Sequence, residues 1–408
     1  MSIKDWPGGV VSKEQVVPSG PYLDSTASGI WTMDQAANYT KQGIWPTAGN
    51  ILGVSDVFST HLYAGTGNAR TITTDIDLAG SGGLVWIQER NDSTNSFSQL
   101  FDTERGVNRA LTTSSSNQQS TETQTLMTFN SDGFNLGTDG GVNGSSFDYA
   151  AFTFRKSSKF FDIVTYTGTG AAGLNVSHSL GSIPGMIIIK RTDSAANWPV
   201  YHKGLNGGTN PEQYGFKLNQ TGAQSDNTTY WNDTAPTDTQ FTLGTTGLVN
   251  TAGGTYIAYI FAHDTASDGL IQCGSYTGTG SYSSPPVVNL GWSPSWIMIK
   301  RADSTSSWQI YDTTRGATQD SSSYLRPDQN QAEQTYTGGY VGFYPTSTGF
   351  SLSIDGSEGN ASGGTYIYMA IRSASAPAIT WPTSIEWTQG TTPSTPAEGA
   401  TDVYTFTT

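Results

Sequence analysis

Residues 185–191 read GMIIIKR. The same run returns as SWIMIKR at 295–301 and, more loosely, as GLVWIQER at 83–90. A short β-branched segment ending on a basic residue is a buried strand whose end turns from core to loop. Three copies make internal repetition the first question. Two further landmarks recur in the same order. The pentad Tyr-X-Gly-Thr-Gly precedes each run, as YAGTG at 63–67 and YTGTG at 166–170 and 276–280. A tyrosine-rich segment closes each unit: DYAAFTFR at 148–155, TYIAYIFA at 255–262 and TYIYMAIR at 365–372. Tyr149, Tyr256 and Tyr366 hold matching places in these segments, and all the landmarks step by just over 100 residues.

The spacing defines units 63–165, 166–275 and 276–376. A unit of about 100 residues rich in short Val/Ile/Tyr/Phe/Trp runs and turn residues fits a two-sheet antiparallel sandwich. The expected fold is therefore all-β: three tandem sandwich repeats of jelly-roll or lectin-like type, each owning a core. The order of strands reads as a meander. In TYIAYIFA, Tyr256, Ala258, Ile260 and Ala262 share one face, and Ile257, Tyr259 and Phe261 share the other. Both faces are apolar, which places this strand inside its sheet. The Gly/Asn-rich loop before it supplies residues for positive φ in a tight hairpin.

The flanks differ. Residues 1–62 contain GIWTMDQAANYTKQGIWP (29–46), where Thr32 and Gln35 form a capping box and Gly43 and Pro46 stop a short helix. This stretch reads as a docking arm, and 377–408 as a small β appendage.

The chain has 408 residues, with 19 Lys+Arg against 33 Asp+Glu and a formal charge of −14. That balance disfavours nucleic acid and anionic membranes as partners. No apolar stretch approaches the ~18 residues of a spanning helix, and MSIKDWPGG carries no apolar signal core. The single cysteine, Cys273, makes no intrachain disulfide, so folding needs no oxidising compartment. The four histidines, His61, His178, His202 and His263, do not recur at matching repeat positions. No zinc-type spacing appears, and neither a metal nor a cofactor is expected. The turn DSTNS (92–96) reads as solvated rather than as a calcium loop.

No nucleophile motif is present, and no catalytic residue is assigned. Glu89, Asp102 and Glu104 lie close in sequence, as a glycosidase pair must, yet the second unit has no acid matching Asp102. The pattern Asp-X-X-Arg-Gly occurs at 102–106 and 312–316, and the second unit replaces it with YHKGLNG at 201–207. Asp102–Arg105 and Asp312–Arg315 read as ion pairs that hold a turn; the alternative is a ligand-binding edge. Aromatic residues in polar loops are the binding candidates: Tyr230 and Trp231 in TYWND, and Trp308 after two serines. An aromatic face beside hydroxyl and amide groups suits a sugar ring, while core packing is the competing use of each.

The WI-X-X-R run, D-X-X-RG, DGFNLG (132–137) and GGTYIAY blocks resemble the repeated β-sandwich modules of phage tail fibre and appendage proteins, of the marine and cyanobacterial phage type. They are also loosely similar to lectin-like jelly rolls. The resemblance implies a virion component assembled in the host cytoplasm: a tail fibre or other appendage that docks to other virion proteins through its N-terminal arm and faces host-surface glycans. It also implies a homo-oligomer, with a trimer the expected form, and no membrane insertion. A head decoration protein without glycan binding is the alternative, and a polysaccharide depolymerase a further one.

Overall fold

A computed structural model of the chain describes Gln35 and residues 52–374, apart from 93–97, 319–320, 338–341 and 354–356. The expected C-terminal appendage lies outside the described residues, as does the helix expected near 32–43 except for helical Gln35. The described chain is all-β and antiparallel, with a few single-turn helices.

One strand order appears three times. The first large sheet runs Phe58–Ala64, Asp148–Arg155, Gly83–Glu89, Ser98–Asp102, Arg109–Thr112, Ser120–Thr121. The second runs Phe161–Thr167, Thr255–Ala262, Pro184–Arg191, Pro199–His202, Tyr214–Lys217, Ser225–Asp226. The third runs Ile271–Thr277, Thr365–Arg372, Pro294–Arg301, Gln309–Asp312, Ser321–Leu325, Gln334–Thr337. Each is accompanied by a small sheet of two or three strands, the first built from Arg70–Thr73, Gly133–Leu136 and Leu126–Asn130. Four strands of each large sheet do follow one another as a meander. The tyrosine-rich closing strand breaks it by inserting between the first strand and the recurring run, which makes it internal. The first strand of each large sheet runs across a boundary read from the pentad: Phe58–Ala64 across 62/63, Phe161–Thr167 across 165/166 and Ile271–Thr277 across 275/276, because the pentad begins at the strand's end rather than opening the unit.

Alternation explains why the recurring run is apolar on both faces. Val85 and Ile87 turn inward with Tyr149 and Ala151 and meet Ile72, Phe134 and Leu136 of the small sheet. In the third copy Ile297 and Ile299 do the same with Phe350. The opposite faces meet one another. Trp296 of the third sheet lies 6.0, 5.9 and 6.0 Å from the rings of Phe58, Phe152 and Phe154 of the first. Phe154 also lies 5.5 Å from Phe261 of the second. Each sandwich thus has its own core, and the three share another.

Main-chain hydrogen bonds follow the same route. Gln119 N donates to Thr192 O at 3.1 Å, Gln224 N to Ala302 O at 2.9 Å, and Glu333 N to Arg90 O at 2.7 Å. The contacts run first to second, second to third and third to first, so the three sheets close into a ring.

The pentad is a clasp. Its tyrosine pairs and stacks with the closing-strand tyrosine, Tyr63 on Tyr149 at 5.1 Å, and Tyr166 on Tyr256 and Tyr276 on Tyr366 at 5.0 Å. Its threonine N–H donates to a buried asparagine: Thr66 to Asn143 Oδ1 at 2.9 Å, and Thr169 to Asn250 and Thr279 to Asn360 at 2.7 Å. The first glycine of the pentad lies against the backbone of the opposing loop, where a Cβ on Gly168 would come within 2.3 Å of Thr251 O. The second, Gly170, has φ +76°. The expected hairpin loop is instead a capped helical turn, Gly247–Asn250 in the second copy, whose last residue is this asparagine.

Candidate functional site

The copies differ most where the strand after the recurring run ends. Asp102, His202 and Asp312 hold equivalent register there, opposite Leu84, Met186 and Trp296. In the first copy Arg105 donates to Asp102 from its backbone N at 2.9 Å and from Nε at 2.6 Å. Tyr259 of the second sheet donates its hydroxyl to the same carboxylate at 2.8 Å. In the third copy Arg315 Nε donates to Asp312 at 2.5 Å and Nη1 to Glu333 at 3.1 Å, and its guanidinium lies 5.8 Å from the Phe152 ring of the first sheet. Both expected pairs are therefore structural, buried, and aimed at the next sheet of the ring.

In the second copy one imidazole replaces the pair. His202 Nδ1 accepts from Gly204 N at 3.0 Å, and Nε2 donates to Tyr368 O of the third sheet at 3.0 Å. Burial pushes His202 down to about 3, so the ring is neutral and carries its proton on Nε2. With no arginine to bury, the chain beyond it takes another path. Asn206, Gly207, Gly208 and Asn210 have φ of 50, 64, 84 and 47°, and the turn Pro211–Gln213 follows.

A cavity of about 520 Å³ opens beside this turn. Its polar groups are Tyr201, Lys203, Glu212 and His263, and its apolar walls include Ile183, Pro184, Pro211 and Pro236. His263 Nδ1 accepts from Cys273 N at 3.1 Å, leaving its Nε2–H as a donor. Burial, then the Lys203 charge, hold His263 down to about 4. Burial also lowers Lys203. Tyr201 is raised by burial and by the Glu212 charge, so its phenol stays protonated. The cavity thus carries three kinds of donor and one carboxylate acceptor against apolar walls.

The aromatic candidates lie elsewhere than expected. Tyr230, Trp231 and Trp308 are 3, 2 and 1 % exposed. The polar loop expected around TYWND is a helical turn capped by Asn227, which accepts from Thr229 N at 3.0 Å. Trp231 donates Nε1 to Tyr214 O at 3.1 Å and meets the Tyr201 ring edge-on at 5.7 Å, so it supports a cavity wall from behind. Trp308 donates Nε1 to Lys217 O at 3.3 Å and packs on Phe216 at 5.6 Å, joining the second and third sheets. A tryptophan beside polar residues is buried here because its N–H finds a main-chain acceptor. The cavity residues carry no sequence motif; the one signal pointing to them is the departure YHKGLNG itself.

Among the described residues no group of three or more His, Cys, Asp or Glu is placed to hold a metal. Glu104 is ion-paired with Lys156 at 2.7 Å and Asp102 is locked to Arg105, so neither carboxylate is free.

A family model described as a domain of unknown function, DUF7483, matches residues 53–375. The chain belongs to this family. No curated protein matches it. The DUF7483 region takes in all three large sheets and the whole ring, so the family unit is the closed assembly rather than one sandwich. The cavity is a feature of the second sheet of the DUF7483 domain.

Proposed function

We propose that this protein is a structural component of a phage virion, a tail fibre or other surface appendage whose modules face host-surface glycans. The observation that carries the reading is the shared aromatic interior around Trp296, Phe154 and Phe261, which joins the three sandwiches into one block. Such a block reaches rigidity by packing alone; its sole cysteine, Cys273, is buried and free. That suits a protein that folds in a reducing cytoplasm and works outside the cell. The arm that docks to other virion proteins is assigned to residues 1–53, because Phe58–Ala64, which begins within the expected 1–62 arm, is a strand of the first sheet.

The homotrimer implied by the resemblance belongs to the same proposal. The inner faces of the sheets already cover one another within a single chain, so trimer contacts are assigned to surfaces outside the ring. Equilibrium sedimentation of the full chain is expected to give three chains per particle; one chain per particle removes the trimer.

Gold-labelled antibody against the protein, viewed on purified phage particles, tests the main reading. Label on tail appendages is expected. Label over the head favours the decoration reading, and particles free of the protein overturn both. Release of oligosaccharide from host capsule on incubation with the protein would support the depolymerase reading instead.

A further inference from the structure

We propose that the cavity bounded by Tyr201, Lys203, Glu212, Pro211, Pro236 and His263 binds a short, uncharged oligosaccharide. The proposal deepens the glycan part of the function above and is independent of where on a particle the protein sits.

Three observations converge. The first is where the cavity lies. In the first and third copies the turn after this strand is closed by a buried Asp–Arg pair. The second copy gives up that pair, keeps the link to the next sheet through His202, and leads into the cavity wall at Pro211 and Glu212 through a run of left-handed residues, of which Gly208 lines the cavity. Left-handed backbone at asparagine is uncommon and costs free energy, so a run of it marks a segment held in place by its surroundings.

The second is the kind of polar group presented. The His263 Nε2–H, the Lys203 amino group and the Tyr201 hydroxyl donate, and Glu212 accepts. Among the described residues, no carboxylate lies within ion-pair distance of Lys203. A sugar hydroxyl both donates and accepts, so it satisfies both kinds of group at once. An anion such as phosphate, sulfate or a uronate gains from Lys203 but meets Glu212 in the same site, so the two opposite side chains together favour a ligand without charge. A purely apolar ligand leaves these polar groups unpaired.

The third is shape and wall chemistry. A volume of about 520 Å³ lies within the range of small-ligand sites and accommodates about two or three pyranose rings. The proline rings offer flat C–H surface to the apolar face of a sugar, while the buried Tyr201 ring backs the wall. Tyr201 is held edge-on by Trp231 and so is preorganised.

The test uses the full chain on an array of neutral, uronic and sulfated oligosaccharides of two to four rings, followed by titration of the strongest binder. A neutral oligosaccharide is expected to bind. Lys203→Met and Glu212→Gln are each expected to weaken it at least about tenfold, and Arg191→Ala, on an exposed ion pair, to leave it unchanged. Melting curves establish that the variants fold. If one does not, hydrogen exchange on the wild-type chain decides, with protection of residues 199–213 expected on sugar addition. Binding of charged sugars alone, binding untouched by both cavity variants, protection elsewhere, or no binding across the array each overturns the proposal. The particle-labelling result stands apart from all of these.

Discussion

Glu89 shows how one position changes character among copies. It pairs with the closing Tyr149 as Arg191 and Arg301 pair with Tyr256 and Tyr366, yet it is buried where those arginines are partly exposed. The buried Lys190 and Lys300 stand one residue earlier, at the place of Gln88. Lys190 and Lys300 turn back to the carbonyls of Arg191 and Arg301 at 2.6 and 2.9 Å. Burial pushes both down to about 8. Glu89 is raised to about 7 by burial and by the charge of Asp92. An acid whose folded pKa exceeds its unfolded value must take up a proton on folding, so stability falls as pH rises from the ordinary glutamate range through 7. Glu89→Gln removes that dependence. The variant is expected to melt above the wild type at pH 8 and to lose that advantage by pH 4, as read by thermal unfolding across the range. Tyr259 gives a second test. Its hydroxyl donates to Asp102 at 2.8 Å and lies 3.3 Å from Arg105 Nη2. Tyr259→Phe leaves the pair in place and is expected to cost about 1–2 kcal/mol in urea unfolding. The arginine that ends each recurring run is not one interaction repeated. Arg191 and Arg301 pair locally with Asp193 and Asp303 at 2.8 Å at the surface, whereas Arg90 reaches Glu333 of the third sheet with two bonds of 2.9 Å. Arg90→Ala is expected to destabilise the chain more than Arg191→Ala, whose exposed pair is worth less than about 1 kcal/mol.

Strands and loops are held together by the clasp, and here repetition in the sequence was a sound guide to part of the structure. The pentad and the closing tyrosine were legible because their residue types recur unchanged. The asparagine that binds them also recurs, as Asn143, Asn250 and Asn360 six residues before each closing tyrosine, but an asparagine in a Gly-rich loop carries no local mark that it is the clasp's acceptor. In the second copy Asn250 accepts from Thr169 N and donates to Ala171 O and Gly244 O, both at 2.7 Å. Asn250→Ala leaves several of these groups unpaired and is expected to cost about 3 kcal/mol by chemical denaturation. Asn250→Asp, which keeps the acceptor and loses the donors, should fall between the two. The aromatic candidates failed as exposed residues for a related reason. Local polarity marks a loop, but whether a tryptophan in that loop faces water depends on which sheet arrives beside it.

At the largest scale, the described residues from Val54 onward form a ring of three sandwiches that share an interior, and the stability of this part should reflect it. Independent repeats melt independently, whereas units coupled through a common core unfold together. Scanning calorimetry of residues 53–375 within the full chain is expected to show one main transition for the three sheets. Trp296→Ala, at the meeting point of the first and third sheets, is expected to cost about 3–5 kcal/mol. It is also expected to broaden or split that transition. A single sharp transition at an unchanged temperature would show that the shared interior contributes little.

The fold class, the repeat landmarks and the inward and outward faces of the closing strand were all present in residue order, because alternation and glycine placement act locally and leave the same mark in each copy. The closure of the ring, the burial of Trp231 and Trp308, and the cavity beside His202 were not. They arise where surfaces more than a hundred residues apart meet, and no local pattern records which of two apolar faces will be covered by the same sandwich and which by its neighbour.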